Sequence, residues 1–282
     1  MEKPLESHLL EFSENHLPGY LSRFLRLKLV MKLLSKILCL KEVDEILSKF
    51  RETRNMDMVD GLIDTLGISV TYTNLEKIPP TGRILIISNH PLGGVDGFTM
   101  LQGISKVRKD VKIVMNKEIL RLLGNMKDLF IPIDVQVNSS KEFLTQIASH
   151  LENEEAVIIF PAGAISFMTL NGLRDRHWKN GVAHLSREHA TDILPVYIEG
   201  RFQLRFYIYP KILRRFLLVR KFLHPRKQHI KIVIGDPISH YELRAKDDKS
   251  AMTSFMREKV YELSTLMALE NPGGINVSNL TD

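Results

Sequence analysis

The chain reads as an α/β protein, a layered domain with a largely parallel sheet flanked by helices and an N-terminal helical extension. Three observations predict this. Largely apolar runs at 84–87, 157–160 and 194–198 are short enough to be strands and lack the polar alternation of a half-exposed sheet. Stretches of helical periodicity lie between them, as parallel strands require. The first two runs break into Pro/Gly turns, Pro91-Leu92-Gly93-Gly94 and Pro161-Ala162-Gly163, where open α/β sheets place their chemistry. The expected division is a helical extension over 1–66, an α/β domain over 67–245, and a closing helix with tail over 246–282.

Taken in order, residues 20–40 form a basic amphipathic pattern. Lys28, Lys32 and Lys36 recur on one face and Leu27, Val30, Leu34 and Ile37 on the other. Two readings stand for it: a helix packed on the core through its leucines, or one lying in a membrane interface. Residues 41–66 read as two short helices and 68–73, with alternating β-branched side chains, as a strand. A turn at 78–82 leads into the strand at 84–87. After Asp96 the spacing of Phe98, Leu101 and Ile104 is helical. Further elements are a strand over 112–115, a helix over 116–124, a strand over 130–134 and a helix over 141–151. The segment 163–181 reads as a polar loop. Another strand is expected over 229–235, then a turn at 236–238 and a helix over 249–269, stopped by Asn271-Pro272-Gly273-Gly274.

The central pattern is Asn89-His90-Pro91-Leu92-Gly93-Gly94-Val95-Asp96. A histidine at a strand's end, followed by a carboxylate at a helix start, suits a general base oriented by an acid. The glycines let the loop fold back so that Asp96 meets the ring. The plainer reading makes Asp96 a helix N-cap and His90 a strand-end histidine bonded to a carbonyl. Other chemistries lack their signatures. There is no Gly-rich phosphate loop, no His-Glu-x-x-His, and Ser166 lies outside a nucleophile elbow. His184 and His189 are wrongly spaced for a zinc pair on one helical face.

With 282 residues, 44% of them hydrophobic, the chain can bury a full core. Its single cysteine, Cys39, rules out an internal disulfide. No apolar signal region or run of about 18 apolar residues is visible. The formal net charge of +6 favours anionic partners. The densest cluster, over 211–227, interleaves bases with Ile, Leu and Phe. It matches a membrane surface better than nucleic acid, for which no stacking module is evident.

The two turn-bounded blocks resemble the lysophospholipid and glycerophosphate acyltransferase superfamily. Its signatures are a strand ending in N-H-x4-D and a later one ending in F-P-E-G-T-R-S. Asn89-His90 with Asp96 is similar to the first, and Phe160-Pro161-Ala162-Gly163-Ala164-Ile165-Ser166 to the second. The segment 194–201, ending in Glu199-Gly200-Arg201, looks like a later family strand. The wording is closer to a bacterial branch labelled hemolysin-like or glycerol acyltransferase, and the resemblance spans about residues 60–240. Here five residues separate His90 from Asp96, and the family Glu and Arg of the second block are Ala162 and Ile165.

The resemblance implies acyl transfer with His90 and Asp96 catalytic and no resident cofactor or metal. The acyl donor would be an acyl carrier protein or coenzyme A thioester, and the acceptor a lyso-lipid hydroxyl. It places Asn89, Gly93, Gly94, Gly163, Ser166 and Arg201 at the substrate, with backbone N–H groups near Gly163 or the Asp96 helix start facing the oxyanion. Asp175 and Trp178 echo an Asp and Trp of the bacterial branch, which makes Arg174, Arg176 and Lys179 the replacements for the missing Arg. Ala162 and Ile165 point to an acceptor other than glycerol phosphate, such as a lyso-lipid with an amino-acid headgroup. The expected location is peripheral, on the cytoplasmic face of an anionic membrane. A thioesterase on the same fold and a catalytically silent lipid-surface binder are the rival readings.

Overall fold

The computed structural model describes residues 40–117, 120, 123–133, 140–170, 172–202, 204–208, 217 and 227–270, with Gly19 and Ser35. The basic helix expected over 20–40 apart from Ser35 and Leu40, residues 118, 119, 121 and 122 of the helix expected over 116–124, the basic cluster up to 226 apart from Leu217, and the stop at 271–274 lie outside the described residues.

Chain contacts group the protein into two compact units. The first comprises residues 1–69, 117–127 and 203–228. It holds α1 (Leu40–Lys49) and α2 (Asn55–Thr65), the two short helices expected there. Both are amphipathic, burying Leu40, Val43 and Ile46 from α1 and Met58, Val59, Leu62 and Ile63 from α2. Phe50 lies where a Cβ on Gly61 would stand, 2.3 Å from its Cε1, so α2 needs glycine at that point. The Asn125 side chain ties down the intervening turn by donating to the carbonyls of Phe50 (2.9 Å) and Arg51 (2.7 Å).

The second unit comprises residues 70–116, 128–202 and 229–282. Its strands are β1 (Ile68–Thr73), β2 (Ile84–Ser88), β3 (Val111–Asn116), β4 (Phe130–Ile133) and β5 (Ala156–Ile159). A hairpin, β6 (Phe167–Thr169) and β7 (Gly172–Arg174), precedes β8 (Asp192–Glu199) and β9 (Gln228–Ile234). Seven strands form one sheet in the order β1-β9-β8-β2-β5-β3-β4. The pairs β2–β5, β2–β8, β3–β4 and β3–β5 are parallel, and β9 joins β8 antiparallel. The fold is therefore the layered α/β class read from the sequence.

β2 is the middle strand, and all five of its residues are buried. Leu85 and Ile87 pack with Ile147 of α4 (Ser140–Glu152), Val182 and Leu185 of α5 (Gly181–His189), and Met256 of α8 (Lys249–Glu270). Strand alternation leaves Ile84 and Ile86 for the opposite face, where α3 (Gly94–Ile104) lies against β3. A Cβ on Gly97 would stand 2.9 Å from Ile113 Cδ1, so this small residue lets helix and strand approach.

Two expectations are corrected here. The segment 163–181 is not simply loop, because it contains the β6–β7 hairpin. The turn at 236–238 also bridges to the sheet, since Ile238 exchanges backbone bonds with Ile193 of β8 at 2.7 and 2.9 Å. α5, a five-residue α6 (Leu204–Ile208) and α7 (His240–Arg244) add to the expected elements. Ser239 caps α7, its hydroxyl accepting from Tyr241 N–H.

Candidate active site

Parallel register brings the two turn-bounded blocks together. Ile87 of β2 pairs with Ile159 of β5 on one side and Pro195 of β8 on the other. The residues just past β2 and β5 therefore meet at the sheet's carboxyl edge. The His90 and Phe160 rings stack there with centroids 4.1 Å apart and planes at 25°.

The backbone turns back through Gly93, whose φ of 68° is one that glycine adopts without strain. α3 begins at Gly94, and Asp96 sits in its first turn rather than at the N-cap, which is Gly93. His90 Nδ1 lies 3.0 Å from Asp96 Oδ2. The same oxygen accepts Leu92 N–H at 2.8 Å. The His90 contact is short but bent: Nδ1 and the other carboxylate oxygen, Oδ1, are buried without a well-aligned partner. Asp96 is fully buried, whereas the His90 side chain keeps 18% of its surface exposed. Burial raises the Asp96 carboxyl above the ordinary carboxylate range. The His90 contact and the Leu92 N–H oppose that rise, and the Asp175 charge adds to it.

Asp175 holds the loop from behind. It is buried, and its Oδ1 accepts His90 backbone N–H (3.2 Å) and Ser166 Oγ–H (2.5 Å) while Oδ2 accepts Trp178 Nε1–H (2.9 Å). Ser166 N–H donates to the His90 carbonyl at 2.9 Å, closing a small ring of bonds around His90. Asn89 fixes β2 against β8, donating to Ile198 O and accepting Ile198 N–H, both at 2.8 Å. A Cβ on Gly200 would stand 2.6 Å from Leu92 Cδ1, so glycine makes room for the loop.

The expected site residues thus separate by role. His90, Asp96, Gly93 and Gly94 converge. Asn89 and Ser166 are buried with their side chains engaged inside the protein rather than turned to a substrate. Gly163 turns with φ 60° beside Lys179, whose Nζ lies 3.5 Å from where a Cβ would be. Arg174 stacks over the Tyr261 ring at 4.7 Å, and the exposed Arg176 lies 5.8 Å from the Phe167 ring centre. Arg201 is exposed just beyond β8. Two of the N–H groups expected at the oxyanion are committed elsewhere, Gly163 N–H to Phe160 O (3.0 Å) and Asp96 N–H to Gly93 O (2.9 Å). The echo of Asp175 and Trp178 in the sequence does not place them at His90. Their bonds to it depend on a fold-back that spacing does not reveal.

Among the described residues no cluster of His, Cys, Asp and Glu has the arrangement of a metal site, and no helix is long and apolar enough to cross a membrane.

A family model described as Acyltransferase matches residues 11–269. The chain is 26% identical over 254 residues to a lyso-glycine lipid O-acyltransferase of Phocaeicola vulgatus, covering 86% of this chain and 89% of that protein. It is 24% identical over 246 residues to the enzyme of the same name from Bacteroides thetaiotaomicron, covering 84% and 90%. In fold it is similar to the 1-acyl-sn-glycerophosphate acyltransferase PlsC of Thermotoga maritima, with TM-score 0.50 and 16% identity over 94% of this chain and 95% of that one.

Proposed function

Since the chain belongs to the acyltransferase family, within the lysophospholipid acyltransferase superfamily, we propose that it acylates the hydroxyl of a lyso-lipid bearing an amino-acid headgroup. The donor in this reading is a fatty acyl thioester of acyl carrier protein or coenzyme A. The observation that carries it is the His90 ring at 3.0 Å from the buried Asp96 carboxylate. The Asp96 carboxylate 3.0 Å away favours the ring proton on Nδ1, a contact that straightens once substrate is bound, and the Nε2 lone pair is the base. It removes the acceptor hydroxyl's proton as that oxygen bonds to the thioester carbonyl carbon. The C–S bond then breaks, and the departing thiolate takes the proton from the imidazolium. A thiol leaves readily enough that no covalent enzyme intermediate is needed. The positive end of the α3 dipole supplies favourable potential for the oxyanion.

The acceptor's headgroup is argued from two sides. Ala162 and Ile165 occupy the positions of the superfamily's Glu and Arg, and the two curated relatives above carry a glycine-lipid name. A bilayer-borne acceptor requires the protein to work at a membrane surface, taken here as the cytoplasmic face. The β6–β7 hairpin suits that task, because Leu170 at its tip is fully exposed and the basic Arg176 and Lys179 follow it on exposed positions.

The test is to incubate the purified protein with radiolabelled acyl thioester, with and without a lyso-glycine lipid. Label moving into the diacylated lipid only when acceptor is present is the expected result. Free fatty acid released equally in both reactions would make the protein a thioesterase. No turnover with either donor would favour a silent lipid binder.

A further inference from the structure

Behind the base lies a second feature that the reaction above does not use. A cleft of about 380 Å³ opens between the segment 174–178 and α8, lined by Arg174, His177, Trp178, Arg257 and Tyr261. Two guanidinium groups approach one ring in it, Arg174 at 4.7 Å and Arg257 at 5.2 Å from the Tyr261 centroid. Among the described residues, no carboxylate is within ion-pair distance of either. Glu258 and Glu262 also line the cleft; Glu262 is taken by Lys259 at 2.8 Å, and Glu258 is exposed to solvent. Asp175 offers Arg257 only its backbone carbonyl, at 3.1 Å, because its carboxylate is turned toward His90. Arg257 Nε is buried and donates to nothing. Tyr261 keeps its proton, since burial and the Asp175 charge push it up to about 12, so the ring adds no negative charge.

Two like charges gathered around one aromatic ring, one of them with a buried and unused Nε–H, are the complement of an oxyanion. We infer that this cleft binds an anionic group, carboxylate or phosphate, of one of the enzyme's two substrates. The inference rests on the acyl-transfer reading only for the choice of substrates. The cleft is placed for this, because Tyr261 Oη accepts Asp175 N–H at 2.8 Å while the Asp175 carboxylate holds the His90 main chain. Asp175 thus links the cleft wall to the His90 loop. Two sources fit the chemistry: the carboxylate of an amino-acid headgroup on the acceptor, and the phosphate of a phosphopantetheine arm on the donor.

Trp178 is the chain's only tryptophan and lines the cleft, so its fluorescence reports binding without turnover. The full chain is titrated with two probe pairs, a lyso-glycine lipid against its methyl ester and 4′-phosphopantetheine against pantetheine. In at least one pair the uncharged member should bind about tenfold or more weakly, as expected for losing charge-assisted hydrogen bonds. A split in the lipid pair identifies the headgroup, and a split in the thiol pair the donor. The split should vanish in Arg174→Gln and partly return in Arg174→Lys, which also shows that the fold survives change at this position. If neither pair splits by more than about twofold, or if the split persists in Arg174→Gln, the cleft is not an anion site. Because no turnover is read, failure of acyl transfer in the parent would overturn the reaction without touching this result.

Discussion

At the scale of one residue, Asp96 is held at a cost. Its carboxylate is fully buried, and burial raises its affinity for a proton despite the His90 and Leu92 contacts. A carboxyl with a raised folded pKa binds more protons when folded than when unfolded, between its ordinary pKa and the raised one. Stability therefore falls as pH rises through that window. Asp96→Asn removes the charge and keeps the shape. Its melting temperature should exceed the parent's at pH 8, with the difference shrinking as pH is lowered toward the ordinary carboxylate range. Activity should move the opposite way. The Asn oxygen that accepts Leu92 N–H still faces Nδ1, but a neutral amide no longer stabilises the imidazolium formed as the base takes its proton, so a loss of about 10²–10⁴ in kcat is expected. Thermal melts and steady-state rates on one preparation check both signs.

At the scale of elements, the site depends on the segment between β5 and α5. Ser166, Asp175 and Trp178 bond to one another and to both the backbone N–H and the carbonyl of His90. Asp175→Asn replaces one acceptor oxygen with a donor, so either Trp178 Nε1–H or the His90 N–H loses its partner. A destabilisation of about 1–3 kcal/mol is expected by denaturant unfolding. The expected kinetic signature is a lower kcat with little change in the KM for the thioester, because Asp175 positions the base without touching substrate. The hairpin in this segment carries Leu170 fully exposed. Leu170→Asp should weaken binding to anionic vesicles by about tenfold or more, since burying a leucine is worth roughly 2 kcal/mol. Vesicle co-sedimentation checks this, and unchanged partitioning would remove the hairpin from the membrane contact.

At the scale of the whole molecule, the sheet was legible where burial leaves a dense signature. The run Ile84-Leu85-Ile86-Ile87 is buried on both faces and declares β2, and the same holds for β5. The meeting of His90 with Asp96 was legible because it closes within one glycine-bearing loop. Elements of fewer than two periods were not, since β6, β7 and α7 have too few residues for an apolar rhythm to repeat. Contacts between distant segments were not legible either. Asp175 reaches His90 across 85 positions, and Arg257 reaches Asp175 across 82, so nothing in local spacing points from one to the other. The substrate edge was read from resemblance, and the fold assigns two of its members, Asn89 and Ser166, to bracing rather than to an open face.

Acyl transfer as proposed above runs through His90 as the base. The most direct measurement is the acyl-transfer rate of purified His90→Ala beside the parent, with thioester and lyso-glycine lipid at saturating levels. The expected result is a kcat lower by about 10²–10⁴, with an unchanged melting profile and an acceptor KM close to the parent's. A folded His90→Ala protein that forms product within about twofold of the parent rate would contradict it.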